Sequence, residues 1–107
     1  MKTYNSFTPN TINPIYVNGL AELVALCRAY NVEITKVQFY QNGFRVEFEV
    51  EGGDAILHDG SYGRYDGTWE TIGFPWDGDD VSCHDTDTLA KLLSAIKNGE
   101  DWEQYDC

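Results

Sequence analysis

Apolar and polar residues alternate with period two through ITKVQFYQNGFRVEFEVE, residues 34–51. Period two is the spacing of a strand that buries one face. Asn42-Gly43 interrupts the run at its middle, and Asn-Gly is a strong signal for a two-residue hairpin turn with positive φ at both positions. The predicted register sets Tyr40 opposite Arg45, Phe39 opposite Val46, Val37 opposite Phe48 and Lys36 opposite Glu49. Val37, Phe39, Phe44, Val46, Phe48 and Val50 then share one face, expected to be core. Lys36, Gln38, Tyr40, Arg45, Glu47, Glu49 and Glu51 share the other. The hairpin over 34–51 is the element around which the rest is expected to assemble.

Two segments carry helical period instead. Leu20, Leu23, Val24, Cys27 and Tyr30 recur at three- and four-residue steps, which predicts a helix over about 18–30. Asn18 or Gly19 is its expected cap, and Asn31 its left-handed stop. Leu89, Leu92, Leu93 and Ile96 predict a second helix over about 86–98, capped by Asp85, Thr86 or Asp87 and ended by Gly99. Short strands are expected at Asp54–His58 and Trp69–Ile72. Val81–His84 reads as one more strand or an extended lead-in. Pro9 and Pro14 mark residues 1–14 as an irregular arm, with a short edge strand near Ile15–Val17. Residues 58–69 read as a turn-rich loop, and 100–107 as an acidic tail. The class is α+β: one domain, an antiparallel sheet of four to five strands around the hairpin, packed with two helices.

Charge changes the picture at Glu47. Residues 1–46 hold two acids against four bases, and residues 47–107 hold sixteen acids against three bases. The chain goes from slightly basic to strongly acidic, for a net charge of −11. Such a surface repels nucleic acid and anionic membranes and is steered toward basic proteins. Three cysteines in irregular positions, no secretory pattern and no long apolar run set a cytoplasmic protein as the expectation.

Candidate chemistry is sparse. His58, Cys83 and His84 are the residues from which a zinc site would be built, but Cys83-His84 is adjacent rather than spaced as in a zinc knuckle. Asp77-Gly78-Asp79-Asp80 resembles the start of a calcium loop without its later ligands. Cys83 and His84 point to opposite faces of a strand, which argues against a Cys-His nucleophile. Cys27 falls on the helix stripe and reads as a core thiol. No phosphate-binding glycine motif is present, and no cofactor is expected. The expectation is a protein that is not an enzyme.

Recognition of a basic protein is the reading that uses most of these features. Glu47, Glu49 and Glu51 on one strand side would stand ~7 Å apart, comparable to phosphates along a nucleic-acid strand. Trp76, Trp102 and Tyr105 lie among Asp77, Asp79, Asp80 and the acids of the tail, and aromatic rings dominate binding hot spots. Trp69 is the tryptophan expected in the core.

The terminal helix Leu89–Asn98 with Gly99, followed at once by Glu100, Asp101, Glu103 and Asp106, resembles small phage-encoded anti-CRISPR proteins that inhibit the type II RNA-guided nuclease. It covers about a fifth of the chain. The resemblance implies a non-enzymatic inhibitor, acting in the bacterial host cytoplasm, that occupies a basic DNA-binding channel or the surface that reads the PAM. The alternatives are an immunity protein that neutralises a basic toxin nuclease and a small zinc-binding protein.

Overall fold

The computed structural model describes residues 13–50, 53–72 and 81–102. In chain order these form α1 (Pro14–Ala29), β1 (Ile34–Tyr40), β2 (Gly43–Phe48), β3 (Asp54–Leu57), β4 (Trp69–Ile72), β5 (Val81–His84) and α2 (Thr86–Lys97). The five strands make one antiparallel sheet in sequence order, β1-β2-β3-β4-β5. The fold is α+β, as the hydrophobic pattern predicts.

α1 begins earlier than its apolar stripe suggests. Asn13 caps it, its Oδ1 accepting from the Ile15 N–H at 2.9 Å, and Pro14 takes the first helical position. Proline there loses no hydrogen bond, since that N–H has no partner within the helix. Ile15–Val17 is therefore the first turn of α1, not an edge strand. Gly19 is not a cap but a contact point inside the helix. A Cβ on Gly19 would stand 2.7 Å from Leu57 Cδ2, so the missing side chain lets α1 approach the sheet.

Both helices end in the same way. At α1, Asn31 takes φ 61°, with Val32 N–H bonded to Cys27 O at 2.8 Å and Asn31 N–H to Arg28 O at 3.2 Å. At α2, Gly99 takes φ 71°, with Glu100 N–H bonded to Ala95 O at 2.8 Å and Gly99 N–H to Ile96 O at 3.2 Å. Each is a Schellman motif that satisfies carbonyls left open by the helix end. Asp85 caps the start of α2, its Oδ1 accepting from Thr88 N–H at 2.8 Å. The Thr88 side chain first, then that N–H, holds the Asp85 carboxyl below its ordinary range.

The hairpin differs from expectation in its turn. The observed register pairs Tyr40 with Gly43, Phe39 with Phe44, Val37 with Val46 and Lys36 with Glu47. The two turn residues are Gln41 and Asn42, at φ 48° and 62°. Gly43 is the first residue of β2, and its reason lies across the sheet. A Cβ there would run into the Leu57 carbonyl oxygen and lie 2.5 Å from His58 Cα. Close strand approach claims the glycine, and the turn takes the residues before it. The slip is two residues along one strand, so every side chain keeps its predicted face.

Regular pairing also ends sooner. β2 stops at Phe48, with Gly53 N–H bonded to Val50 O at 2.9 Å and Phe48 N–H to Gly53 O at 3.0 Å. An irregularity between Ile34 and Lys36 offsets the outer end of β1.

One face of the sheet carries both helices. Val46, Phe48, Ala55, Leu57 and Trp69 are buried there with Leu23 and Cys27 of α1 and Leu89, Leu92 and Leu93 of α2. Trp69 is fully buried, as expected, and its indole N–H donates to Thr86 Oγ1 at 3.2 Å. Cys27 is likewise a core thiol, and burial pushes its pKa up to about 11. Val37 and Phe39 are not core: they are 46% and 49% exposed. β1 is the edge strand and overhangs the helices, so its apolar face is only half covered. No described helix is long and apolar enough to cross a membrane.

Candidate functional site

Two surface regions stand at opposite ends of β2 and β3, separated by roughly 10–17 Å of strand. The first is an acidic cleft where β2 turns into β3. It encloses about 330 Å³ and is lined by Arg45, Glu47, Phe48, Glu49, Val50, Gly53 and Asp54. Antiparallel pairing of Glu47 with Asp54 and of Arg45 with Ile56 puts the charged groups on the face away from the helices. Arg45 is fixed on Asp54, with Nη2 at 2.7 Å and Nε at 3.0 Å from Oδ2, and lies 3.9 Å from Glu47 Oε2. Asp54, and secondarily Glu47, holds the guanidinium in its charged form.

Glu49 leaves the strand row. Because β2 ends at Phe48, Glu49 swings toward the helix ends. Its carboxylate accepts from the Glu33 N–H at 2.6 Å and from Lys97 Nζ at 2.9 Å. The Glu33 amide first, then Lys97, holds the Glu49 carboxyl below its ordinary range. Lys97 also donates to the Asn31 carbonyl, which ties the end of α1 to the end of α2. The predicted Lys36–Glu49 pair is replaced by Lys36 opposite Glu47 in the register and by Lys97–Glu49 as the ion pair. An even glutamate ladder along β2 is thus not formed. What stands instead is two carboxylates, Glu47 and Asp54, on the Arg45 guanidinium, and Glu49 beside them in the cleft lining but paired with Lys97.

The second region is residues 58–68 beside the hairpin turn. Ser61 is buried and closes the loop on itself: its Oγ donates to His58 O at 2.9 Å and accepts from His58 N–H at 3.1 Å. His58 Nδ1 accepts from Gly60 N–H at 2.9 Å. Burial holds the imidazole below its usual pKa, against the pull of Glu70 and Asp59. Glu70, also buried, accepts from Tyr62 N–H at 2.7 Å. Gly63 O receives the N–H groups of Asp66, Gly67 and Thr68. A Cβ on Gly63 would collide with the Thr68 carbonyl oxygen, so only glycine permits this closure.

Asp59 joins that loop to two other elements. Its carboxylate accepts from Tyr16 OH of α1 and from Asn42 Nδ2 of the turn, both at 2.9 Å, while its N–H donates to Gln41 O at 3.0 Å. Asn42 and then Tyr16 hold the Asp59 carboxyl low. Burial first, with the Asp59 bond second, pushes the Tyr16 phenol up to about 12. Upon this fixed base Tyr62 and Tyr65 stand 71% and 77% exposed.

Of the sequence-predicted residues, the structure brings Glu47 and Glu49 into one cleft. Trp102 is half-buried and packs against the core, so its ring is largely committed to the fold. Glu51, Trp76, Asp77, Asp79, Asp80 and Tyr105 lie outside the described residues. His58, Cys83 and His84 are not assembled. Cys83 pairs with Glu70 on the face away from the helices, whereas His84 pairs with Trp69 on the core face and lies 3.3 Å from Thr71 Oγ1. Among the described residues no group of three His, Cys, Asp or Glu side chains is placed to hold a metal ion.

The sequence pattern puts Arg45 on the polar strand face and Asp59, Tyr62 and Tyr65 in a turn-rich loop, but does not bring Arg45 to Asp54 or Asp59 to Tyr16 and Asn42. The signal for Asp54 was available: a strand resuming after Gly52-Gly53 returns antiparallel and sets its first acid beside Glu47. The signal for the tyrosines was their position between glycines, in turns whose corners point outward.

No protein-family model matches this chain, nor does any curated protein or solved structure.

Proposed function

We propose that this chain is a non-enzymatic acidic inhibitor that binds the basic surface of a nucleic-acid-handling protein. The specific form we put forward is an anti-CRISPR protein that blocks DNA binding by the type II effector nuclease. The observation that carries the reading is the charge distribution: sixteen acids against three bases from residue 47 onward. The cleft supports it by setting three acids, Glu47, Glu49 and Asp54, beside the single Arg45 in its lining.

The state of the carboxylates supports the non-enzymatic part. Glu49, Asp59 and Asp85 are all held below the ordinary range by N–H and O–H donors. A general acid at neutral pH needs the opposite, a carboxyl raised by burial or by a like charge. Groups held ionised suit electrostatic attraction of a cationic partner.

Cleavage of target DNA by the guide-loaded nuclease, with and without the chain, tests the proposal. Cleavage stops when the chain is added before DNA. Replacing Asp77, Asp79 and Asp80 together with Asn slows association and weakens inhibition. Unchanged cleavage at saturating protein would contradict the reading.

A further inference from the structure

Resting on the reading of a basic partner, we infer that the 58–68 loop is an arginine-docking platform, on which Tyr62 and Tyr65 take guanidinium groups of that partner on their ring faces. Three observations lead there. The first is that the exposure is built rather than incidental. Arg64 N–H bonds to Ser61 O at 3.3 Å, and Asp66 N–H to Gly63 O at 3.1 Å. Tyr62 and Tyr65 occupy inner positions of these two successive turns. Their rings project while the main chain beneath is tied to His58, Glu70 and Thr68. A main chain fixed in this way loses little freedom on binding.

The second observation concerns which ligand such a ring takes. Arg64 already lies with its guanidinium carbon 4.6 Å from the Tyr65 ring centroid, while its Nη1 donates to Ser61 O at 2.8 Å. The chain thus displays, with its own residue, the contact proposed for the partner. The third is charge. Asp59, whose charge acts on Arg64, and Asp66 belong to the loop, and Glu70 is bonded beneath it to the Tyr62 N–H, against Arg64 as the loop's one base, so a cationic partner is attracted and an anionic one repelled. Arginine is favoured over lysine because its planar group stacks on an aromatic face as well as carrying charge.

The test is an NMR titration of the full chain with octa-arginine and octa-lysine peptides at low salt. Octa-arginine shifts the amides of Tyr62–Asp66 and binds about two- to fivefold more tightly than octa-lysine, the range of an exposed cation–π contact. Tyr62→Ser with Tyr65→Ser removes the preference, and Tyr62→Phe with Tyr65→Phe keeps it. The rings make none of the loop's main-chain hydrogen bonds, so an unchanged amide spectrum elsewhere verifies the fold of each variant. Binding that shifts only the Glu47, Glu49 and Asp54 cleft overturns the platform while leaving the acidic-inhibitor reading in place. So does equal affinity for the two peptides. Failure of both peptides to bind overturns the two together.

Discussion

Asp59 is the residue on which most local structure converges. It links the first turn of α1, the hairpin turn and the 58–68 loop through one carboxylate and one N–H. Asp59→Ala leaves the Tyr16 hydroxyl, in a residue 2% exposed, without its acceptor. That costs about 1–3 kcal/mol, more than Tyr16→Phe at about 1 kcal/mol, in urea unfolding at pH 7. Because the folded-state pKa of Asp59 is lowered, this stabilisation is present above the ordinary carboxylate range. It is lost as pH falls toward the folded-state value. His58 works in the same direction at a higher pH. Its folded-state pKa lies below the ordinary imidazole value of about 6.5, so the neutral form supports the fold and stability declines as pH drops below that value. Protonation of Nδ1 removes the acceptor of the Gly60 N–H. Hydrogen exchange at Gly60 therefore accelerates, relative to the core amides of β2, as pH falls below the ordinary imidazole value. An unchanged protection ratio would contradict that assignment.

At the scale of elements, the hairpin shows what a sequence can and cannot say. Alternation over residues 34–51 specifies both faces correctly, since parity survives a two-residue slip. The turn does not follow from Asn42-Gly43, because the demand for a glycine comes from β3, a strand outside the hairpin. Gly43→Ala is accordingly expected to destabilise the chain by about 3 kcal/mol in denaturant unfolding, the upper part of the range for overpacking, since the new Cβ meets backbone rather than a flexible side chain. A loss below about 1 kcal/mol would return Gly43 to a turn role. The helix stops at Asn31 and Gly99 were legible because a left-handed residue satisfies purely local hydrogen bonds. The start of α1 was not, since Leu20 announces the apolar stripe while Asn13 and Pro14 begin the helix more than a turn earlier. The exposure of Val37 and Phe39 was hidden for a related reason: periodicity assigns a face, but strand order decides whether anything covers it. In the candidate site, Glu47 and Glu49 were visible as strand acids. Their meeting with Asp54 depended on where β2 stops, and the role of Tyr62 and Tyr65 on a loop closed by Ser61, Gly63 and Glu70.

At the scale of the whole molecule, structure and charge are divided between two faces of one sheet. The helices and the tryptophan core occupy one side, Arg45, Glu47 and Asp54 lie on the other, and Glu49 turns from the same cleft to the helix ends. The ion pair of Lys97 with Glu49 and the bond of Lys97 to Asn31 hold the ends of both helices at the rim of that cleft. Exposed pairs of this kind contribute little to stability individually. Their effect here is positional, keeping the Glu49 carboxylate charged and in place. A net charge of −11 on a chain of 107 residues also opposes self-association and favours encounter with an oppositely charged surface. The central claim is that this field directs the chain onto a basic nuclease. The most direct measurement is the association rate of the chain with the guide-loaded type II nuclease as ionic strength rises. The complex is expected to form fast at low salt, to compete with target DNA, and to associate at least about tenfold more slowly once screening shortens the Debye length from roughly 10 Å to 3 Å. No complex at low salt, or an association rate indifferent to salt, would contradict it.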